Sequence, residues 1–376
     1  MIDPRALDKM MPYMKNNFGN ASSSEHLYGW QSNEAVNNAR EKISELINCS
    51  PNEVFFTSGA TESNNISIIG AINSFDSSVH AITSKTEHKS ILDIFKHLSK
   101  DQIDVTYLNV NSDGIINLNK LNDAISPDTK LISIMMANNE IGVIQPIEEI
   151  SKICRQRNIV FHVDAAQAMG KIDLDVKKLD IDLMSSSSHK LYGPKGVGAL
   201  YINRKTMKHK IKPIFFGGGH ENGLRPGTLA VHNIVGFGEA CSIAKNEMQR
   251  NHVLLNTLTH LMLEKLSKGF NEIIINGNMK IRIPGNLNIT FPGLNQEPLI
   301  QKMKDIAVSS GSACTTSTPE PSHVLRALGI SKSLIRSTIR IGIGKFNSRD
   351  EIKYAATYIL EVVNKLKINK KEAIDG

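Results

Sequence analysis

Several residues of this chain have the types and spacing to act together on one ligand. TSGATESNN (57–65) places a glycine-containing turn before a Ser/Thr-rich helix start. Unpaired backbone N–H groups and the helix dipole there can cradle an anion such as a phosphate, and the same residues could equally form a plain capping box. IVFHVDAAQ (159–167) ends a buried strand on Asp164. A carboxylate in that place needs a partner, either a structural one or a protonated pyridine nitrogen. DLMSSSSHKLYGPKGVGAL (182–200) sets Lys190 just after another strand, beside a histidine and several serines. An amine held in such a pocket can be deprotonated and form a Schiff base, although any single lysine is more often a solvated one.

Taken together, a phosphate cradle, an acid and a lysine follow strands in the order expected for pyridoxal 5′-phosphate. His88, in TEHKS, could stack on an aromatic ligand and shuttle protons, or make only a local bond at a helix start. Asn139, in NNEIG, is a polar group at the same expected sheet edge. Arg340, in STIRIGI, can bind a substrate carboxylate through two parallel bonds or serve a structural salt bridge. Cys314 lies in SSGSACTTSTPEPS (309–322), whose Ser, Thr, Gly and Pro content predicts an exposed, mobile loop. A thiol there could travel between a buried cofactor and an outside acceptor.

The elements that must position these groups show in the hydrophobic periodicity. VFFT (54–57), HAIT (80–83), VTYL (105–108), LISIMM (131–136), IVFHVD (159–164), DLMSSS (182–187) and GALYI (198–202) read as strands. Helical patterns at 62–73, 88–99, 118–126 and 146–157 alternate with them. The alternation predicts an α/β fold with a mainly parallel seven-stranded sheet covered on both faces, and ligands beyond the carboxyl ends of its strands. A long helical stretch (228–268) follows, then strands at 273–276, 287–291 and 337–343 and helices at 297–304, 320–328 and 348–366. The expected division is a large domain at 1–248 and a smaller α+β domain at 249–376 that carries the Cys314 loop, with packing of the first residues against the smaller domain left open.

Composition narrows the class. The 376 residues, 40% hydrophobic and 22% charged, can build a sizeable core. No apolar run reaches membrane-spanning length, and no signal peptide is visible. The net charge of +7 is spread along the chain, densest at Lys205, Lys208, Lys210 and Lys212, so direct nucleic-acid binding is not expected. Cys49, Cys154, Cys241 and Cys314 form no CxxC pair, which argues against disulfides and structural zinc and for a reducing compartment. The first three sit in settings typical of inert core thiols.

TSGATESNN, SKTEHKS, NNEIGVIQP, HVDAAQ, SSHKLYGPKGVGALY, GGGHENGLRPGT and SSGSACTTSTPEPSHVLRALG together resemble the cysteine desulfurases of the IscS/NifS type. That family belongs to the class V aminotransferase group of pyridoxal-phosphate fold type I enzymes. The resemblance covers nearly the whole chain. It implies that Lys190 carries the cofactor, Asp164 pairs with its ring nitrogen, and His88 stacks on the ring and handles protons. Gln167 and Asn139 sit near the ring hydroxyl, Asn139 also near the substrate. Ala60, Thr61, Ser187 and His189 hold the phosphate, completed by Thr228 of a second subunit, which implies a homodimer. Arg340 binds the carboxylate of L-cysteine. Cys314 is the nucleophile that becomes a persulfide, and a candidate transient iron–sulfur ligand. The sulfur would pass to an iron–sulfur scaffold protein or another acceptor, such as a tRNA thiolation pathway, in the cytoplasm or the matrix of a mitochondrion-like organelle.

The chain departs from the family pattern in four places. The usual strand and Asp/Thr-rich segment before Met1 is missing, which predicts weak turnover, with either a start site inside a longer frame, the favoured reading, or a partner that supplies the segment. Ser188 stands where Gly or Ala is commoner, and Lys345 where Arg is commoner. In the tail LKINKKEAIDG the scaffold-docking extension expected from the resemblance is missing or replaced, which bears on partner binding more than on chemistry. Other readings of the set are a selenocysteine lyase, another class V enzyme, or a catalytically weak sulfur-relay component.

Overall fold

The structure, a computed structural model, describes residues 1–100, 103–207, 211–294, 299–309 and 321–375, without the side chains of 368–375. Two helices open the chain, α1 (Pro4–Lys15) and α2 (Leu27–Ile47). Strand and helix then alternate through β1 (Val54–Thr57), α3 (Ala60–Ile72), β2 (His80–Ser84), α4 (Lys89–Leu98), β3 (Asp104–Leu108) and α5 (Leu118–Ala124). The alternation continues with β4 (Thr129–Met135), α6 (Ile147–Gln156), β5 (Val160–Asp164), β6 (Leu183–Ser187) and β7 (Gly198–Ile202). After α7 (Arg204–Met207) comes the long α8 (Val231–Gly269). Then follow β8 (Ile274–Ile275), β9 (Asn286–Thr290), α9 (His323–Ala327), α10 (Lys332–Arg336), β10 (Thr338–Gly342) and α11 (Arg349–Asp375).

These residues form two compact units. The first holds Met1–Leu108, Leu118–Ala137 and Gln145–Met248, and the second holds Asn109–Asn117, Asn138–Ile144 and Gln249–Gly376. The short stretches that follow β3 and β4 therefore belong with the C-terminal residues, and the division is not one cut of the chain. The first residues belong to the sheet-bearing unit. Asp3 caps α1 by accepting from Arg5 N–H at 3.1 Å, and Pro4 suits the first helical turn, where no donor is needed. Met10 packs where a Cβ on Gly236 would come within 2.5 Å of its sulfur, so only glycine lets α8 lie this close.

The sheet of the first unit runs β1-β7-β6-β5-β4-β2-β3. Strands β2 to β6 pair in parallel, and β7 is antiparallel to both of its neighbours. The carboxyl ends of β1, β2, β4, β5 and β6 thus meet the amino end of β7 at one edge. Strands β5, β6 and β7 are buried along their whole length, which is why they read as unbroken apolar runs or small serines. The helix α4 shows how such an edge is held. Its Ile91, Ile94, Phe95 and Leu98 recur at helical spacing and are buried, each contributing on the order of 1.5–3 kcal/mol. The residue that caps this anchored helix is His88.

The second unit is built on the antiparallel sheet β10-β9-β8. Leu287, Ile289, Ile339 and Ile341 of the sheet pack with Leu258 and Met262 of α8 and Ile359 of α11. The expected strand at 273–276 is only two residues long, and the Asn276 side chain just after it donates to Asn288 Oδ1 (2.7 Å) and Thr290 Oγ1 (2.9 Å). A short 3₁₀ turn at Leu299–Lys302 stands within the expected helix 297–304.

Candidate functional site

The anion end of the site begins at Gly59, which caps α3 with φ 152° and offers no side chain to the helix N–H groups. Ala60 and Thr61 supply the first of those N–H groups, at the positive end of the helix dipole. Gly198 lets β7 run between the exits of β1 and β6, pairing with Thr57 on one side and Ser187 on the other. A Cβ on Gly198 would lie 2.5 Å from Ser186 O and 2.6 Å from Gly59 Cα, so the three segments close up only around glycine. Ser187 Oγ lies 2.9 Å from His189 Nδ1 and faces the Gly59 turn. Burial and the neighbouring Lys190 and Lys195 hold the His189 pKa below its ordinary value, so the ring stays neutral and can share a proton with a bound anion.

Lys190 is exposed on a single 3₁₀ turn, Ser188–Leu191, directly after β6. Tyr192 ends that turn in the left-handed region at φ 65°, and its carbonyl is tied by Asp3 N–H at 2.8 Å. The unusual Ser188 is fully buried, with no partner for its hydroxyl among the described residues. Gly193 makes room for it, since a Cβ there would stand 2.0 Å from Ser188 Oγ.

The acid end lies at the tip of β5. Asp164 is 5% exposed, its Oδ1 accepting from Ala166 N–H (2.9 Å) and its Oδ2 from Asn64 Nδ2 (3.1 Å). Asn64 Nδ2 also donates to Ser90 Oγ (3.0 Å), and Ser90 Oγ meets His88 Nδ1 at 2.8 Å. The His88 pKa is lowered, first by burial and then by Lys190, against the pull of Asp164. Beside it, Glu87 is completely buried and accepts from Met135 N–H at 2.9 Å, continuing the β4 ladder past the end of β2. Burial, with Asp164 adding repulsion, pushes the Glu87 carboxyl well above the carboxylate range. Deeper in the sheet, His162 lies between Ser133 Oγ (2.8 Å) and Ser185 Oγ (3.0 Å), its pKa lowered by burial to about 3.

The first unit thus brings Ala60, Thr61, His88, Asp164, Ser187, His189 and Lys190 to one sheet edge. Gln167 is half-buried in the position next after Ala166, and its Oε1 accepts from Lys171 at 3.1 Å. Thr228 is exposed, in a segment pinned at two points. Glu221 takes two bonds from Arg40 (2.7 and 3.0 Å) and one from Phe56 N–H (2.7 Å), while Arg225 pairs with Glu62 on α3 at 2.9 Å.

Asn139 and Arg340 lie in the second unit. Arg340 Nη1 donates to the Asn139 carbonyl at 2.8 Å, so these two substrate candidates touch. The Asn139 loop is shaped by Asn138, whose Oδ1 accepts from Glu140 N–H (2.8 Å) and Ile141 N–H (3.0 Å). Lys345 stands 5.2 Å over the Phe346 ring. Cys314 lies outside the described residues. Of the remaining thiols, Cys154 and Cys241 are buried, whereas Cys49 is half-buried rather than core. Burial raises the pKa of all three, that of Cys49 to about 12.

Asn64, Glu87 and Ser90 escaped the reading of single residues although all three lie inside quoted motifs. Their only sequence signal was adjacency: Glu87 and Ser90 flank His88, and Asn64 sits in the first turns of the cradle helix.

Residues 1–354 match the model of the family described as aminotransferase class-V. A cysteine desulfurase IscS from Colwellia psychrerythraea is 51% identical over 372 residues, covering 97% of this chain and 91% of the relative. A mitochondrial cysteine desulfurase from Arabidopsis thaliana is 47% identical over 367 residues, covering 97% and 81%. Among solved structures, a NifS-like protein superposes with a TM-score of 0.88 at 35% identity over 97% of each chain. A structure of SspA in complex with cysteine gives 0.80 at 34% identity, covering 92% of this chain and 97% of that one.

Proposed function

From the premise that this chain belongs to the aminotransferase class-V family and, within it, to the cysteine desulfurases, we propose that it takes sulfur from L-cysteine with pyridoxal 5′-phosphate held at the β1–β5–β6 edge. The observation that carries the reading is the set of donors and acceptors there. An uncapped helix start with Ser187 and His189 fits a phosphate, Asp164 fits a protonated ring nitrogen, and Lys190 fits an aldehyde carbon. When bound, the cofactor supplies an electron sink that labilises bonds at the substrate α- and β-carbons.

The side chains divide the remaining work. Ala60, Thr61, Ser187 and His189 anchor the phosphate, and Thr228 from a second copy of the chain completes that grip. Asp164, fixed by Asn64 and Ala166 N–H, keeps the ring nitrogen protonated. His88 addresses the reacting groups, with Gln167 and Asn139 near the ring hydroxyl. Arg340, steadied on the Asn139 carbonyl, pairs with the substrate carboxylate, a match that a planar guanidinium makes through two bonds. Cys314 as thiolate attacks the substrate sulfur. An S–S bond forms, the C–S bond breaks, the carbon keeps the electron pair and takes a proton, and L-alanine leaves.

The persulfide on Cys314 then serves an acceptor, for which an iron–sulfur scaffold protein is the leading class. Bacterial and mitochondrial relatives support a site of action in the cytoplasm or an organelle matrix. Among the described residues, no helix is long and apolar enough to cross a membrane.

The test is the product balance. Purified protein with L-cysteine and a thiol reductant should release alanine and sulfide in equal amounts, and Cys314→Ser should stop both while the visible absorbance of bound cofactor persists. Full turnover by Cys314→Ser would remove the persulfide from the mechanism.

A further inference from the structure

Two functional groups of this site, Asp164 at the tip of β5 and His88 at the start of α4, are joined by two residues that the reaction scheme above does not use. Asn64 on α3 is fully buried, and Ser90 stands in the first turn of α4. Asn64 Nδ2 is 3.1 Å from Asp164 Oδ2 and 3.0 Å from Ser90 Oγ. Ser90 Oγ is 2.8 Å from His88 Nδ1, and Ser90 N–H donates to the same nitrogen at 3.1 Å.

The chemistry of these groups fixes the direction of every bond. A carboxylate can only accept, so the atom of Asn64 that faces Asp164 must be the amide nitrogen. That NH₂ group has a second hydrogen, which goes to Ser90 Oγ. The serine hydroxyl is therefore an acceptor on the Asn64 side, and its own hydrogen is left for His88 Nδ1. Two donors, the hydroxyl and the backbone N–H of Ser90, converge on Nδ1. A proton on that nitrogen would face both of them, so Nδ1 must present its lone pair, and the proton of a neutral ring sits on Nε2.

We propose that Asn64 and Ser90 are positioning residues, a hydrogen-bond relay between Asp164 and His88 whose bonds run outward from the Asn64 amide, and that it holds the imidazole neutral with its proton on Nε2. The charges facing His88 are Asp164 from β5, Lys190 from the turn after β6, and Lys89 and Asp93 from its own helix. Burial, Lys190 and Lys89 oppose an imidazolium, the two aspartates favour it, and the balance leaves the pKa below the ordinary value. Ser90 adds to the opposition, because protonating Nδ1 would break both of its bonds.

The consequence is a restriction on His88. Hydrogen-bond donation from Nε2 needs no rearrangement, whereas taking up a proton at Nδ1 requires Ser90 to give way. His88 then acts as a neutral donor before it acts as a base. That catalytic consequence rests on the proposed role of His88; the tautomer itself does not.

The experiment is ¹⁵N NMR of protein labelled at histidine, as purified and after loading with pyridoxal phosphate, with His88 assigned by its loss in His88→Gln. The native ring should be neutral with Nε2 protonated at pH 7 to 8. In Ser90→Ala the titration of His88 should move up by about one pH unit, the effect of one lost hydrogen bond to the neutral form, and the share of the Nε2–H tautomer should fall, with only the backbone N–H of residue 90 still donating to Nδ1. Ser90→Thr, which keeps the hydroxyl, should restore both. Asn64→Ala should shift the titration less, since Ser90 can still donate. A proton on Nδ1 in the native protein overturns the relay, and so does a Ser90→Ala titration identical to the native one. Should Ser90→Ala fail to fold, the native tautomer alone decides. Native-rate cysteine turnover by His88→Gln would instead remove the catalytic role of His88 and leave the tautomer standing.

Discussion

The sheet edge of the first unit and the Asn139–Arg340 pair of the second hold their functional groups in different ways. At the sheet edge each group sits on, or within a few residues of, the last residue of a strand. Asp164 ends β5, Lys190 follows β6 by three residues, and the cradle follows β1. Backbone ladders place them. In the second unit Asn139 rides on a loop whose position depends on side chains from far along the chain. The Glu140 carbonyl accepts from Asn286 and Asn288 of β9, its carboxylate accepts from Ser322 before α9, and the Asn139 carbonyl accepts from Arg340 of β10. The loop also has backbone ties within its unit, Ile144 N–H to the Ile281 carbonyl and Ile283 N–H to the Gly142 carbonyl, both at 2.9 Å, and the side-chain bonds add to them. On the proposed function, the anchoring chemistry falls to the first region and substrate recognition to the second.

That contrast can be broken by mutation. Lys190→Ala should leave under about one-hundredth of native turnover, read as alanine release from cysteine, because no neighbouring group replaces a covalent amine. Arg340→Lys should instead raise KM for cysteine about tenfold with little change in kcat, through loss of the two-bond fork and of the hold on Asn139. If Arg340→Lys were as damaging to kcat as Lys190→Ala, the separation of anchoring from recognition would be wrong.

Gly198→Ala tests how tightly the first region is packed. A Cβ meeting Ser186 O and Gly59 Cα forces β1, β6 and β7 apart, at a cost of about 1–3 kcal/mol in denaturant unfolding, together with weaker cofactor retention. An unchanged midpoint and unchanged retention would mean that the cradle tolerates expansion.

Glu87→Gln has a smaller effect, with a defined sign. The folded-state pKa of Glu87 is raised, so as pH climbs above about 4.5 the unfolded chain releases this proton first and the native state loses stability relative to it. Glutamine keeps an acceptor for Met135 N–H and carries no proton to release. The variant should therefore gain on the native chain as pH rises from 5 toward neutrality, measured by urea unfolding at several pH values. A stability difference that does not vary with pH would show that Glu87 is not held neutral. Smallest of all is the expected reaction of Cys49, Cys154 and Cys241 with iodoacetamide at pH 8. Their raised pKa values leave little thiolate, and peptide mapping should find them unmodified in the native protein.

The same contrast governs how much could be read in advance. All seven strands of the first sheet stand where the periodicity places them, because the inner strands, buried on both faces, write themselves as short apolar or small-residue runs, and the half-buried edge strand β3 is β-branched and aromatic. Helices α1 and α2 were not anticipated. Much of α2 is charged or polar, and the first half of its buried face is made of small residues, Gly29, Ser32, Ala35 and Ala39 among them. The two stretches 109–117 and 138–144 look like ordinary connections between elements, and nothing local shows that they belong to the second unit.

By itself, the sequence determined which residue types follow which strands, and so the presence of a helix N-terminus, an acid, an imidazole and a lysine at one sheet edge. These are consequences of local periodicity and of parallel strand order, both carried by residues near one another in the chain. Only the tertiary structure decided that Asn64 reaches Asp164 across 100 positions and Ser90 across 26, that Glu87 is buried against β4, and that Arg340 grips the Asn139 carbonyl. Hydrogen-bond direction, burial and the pKa values they shift depend on which atoms face each other in space, and no spacing along the chain encodes that.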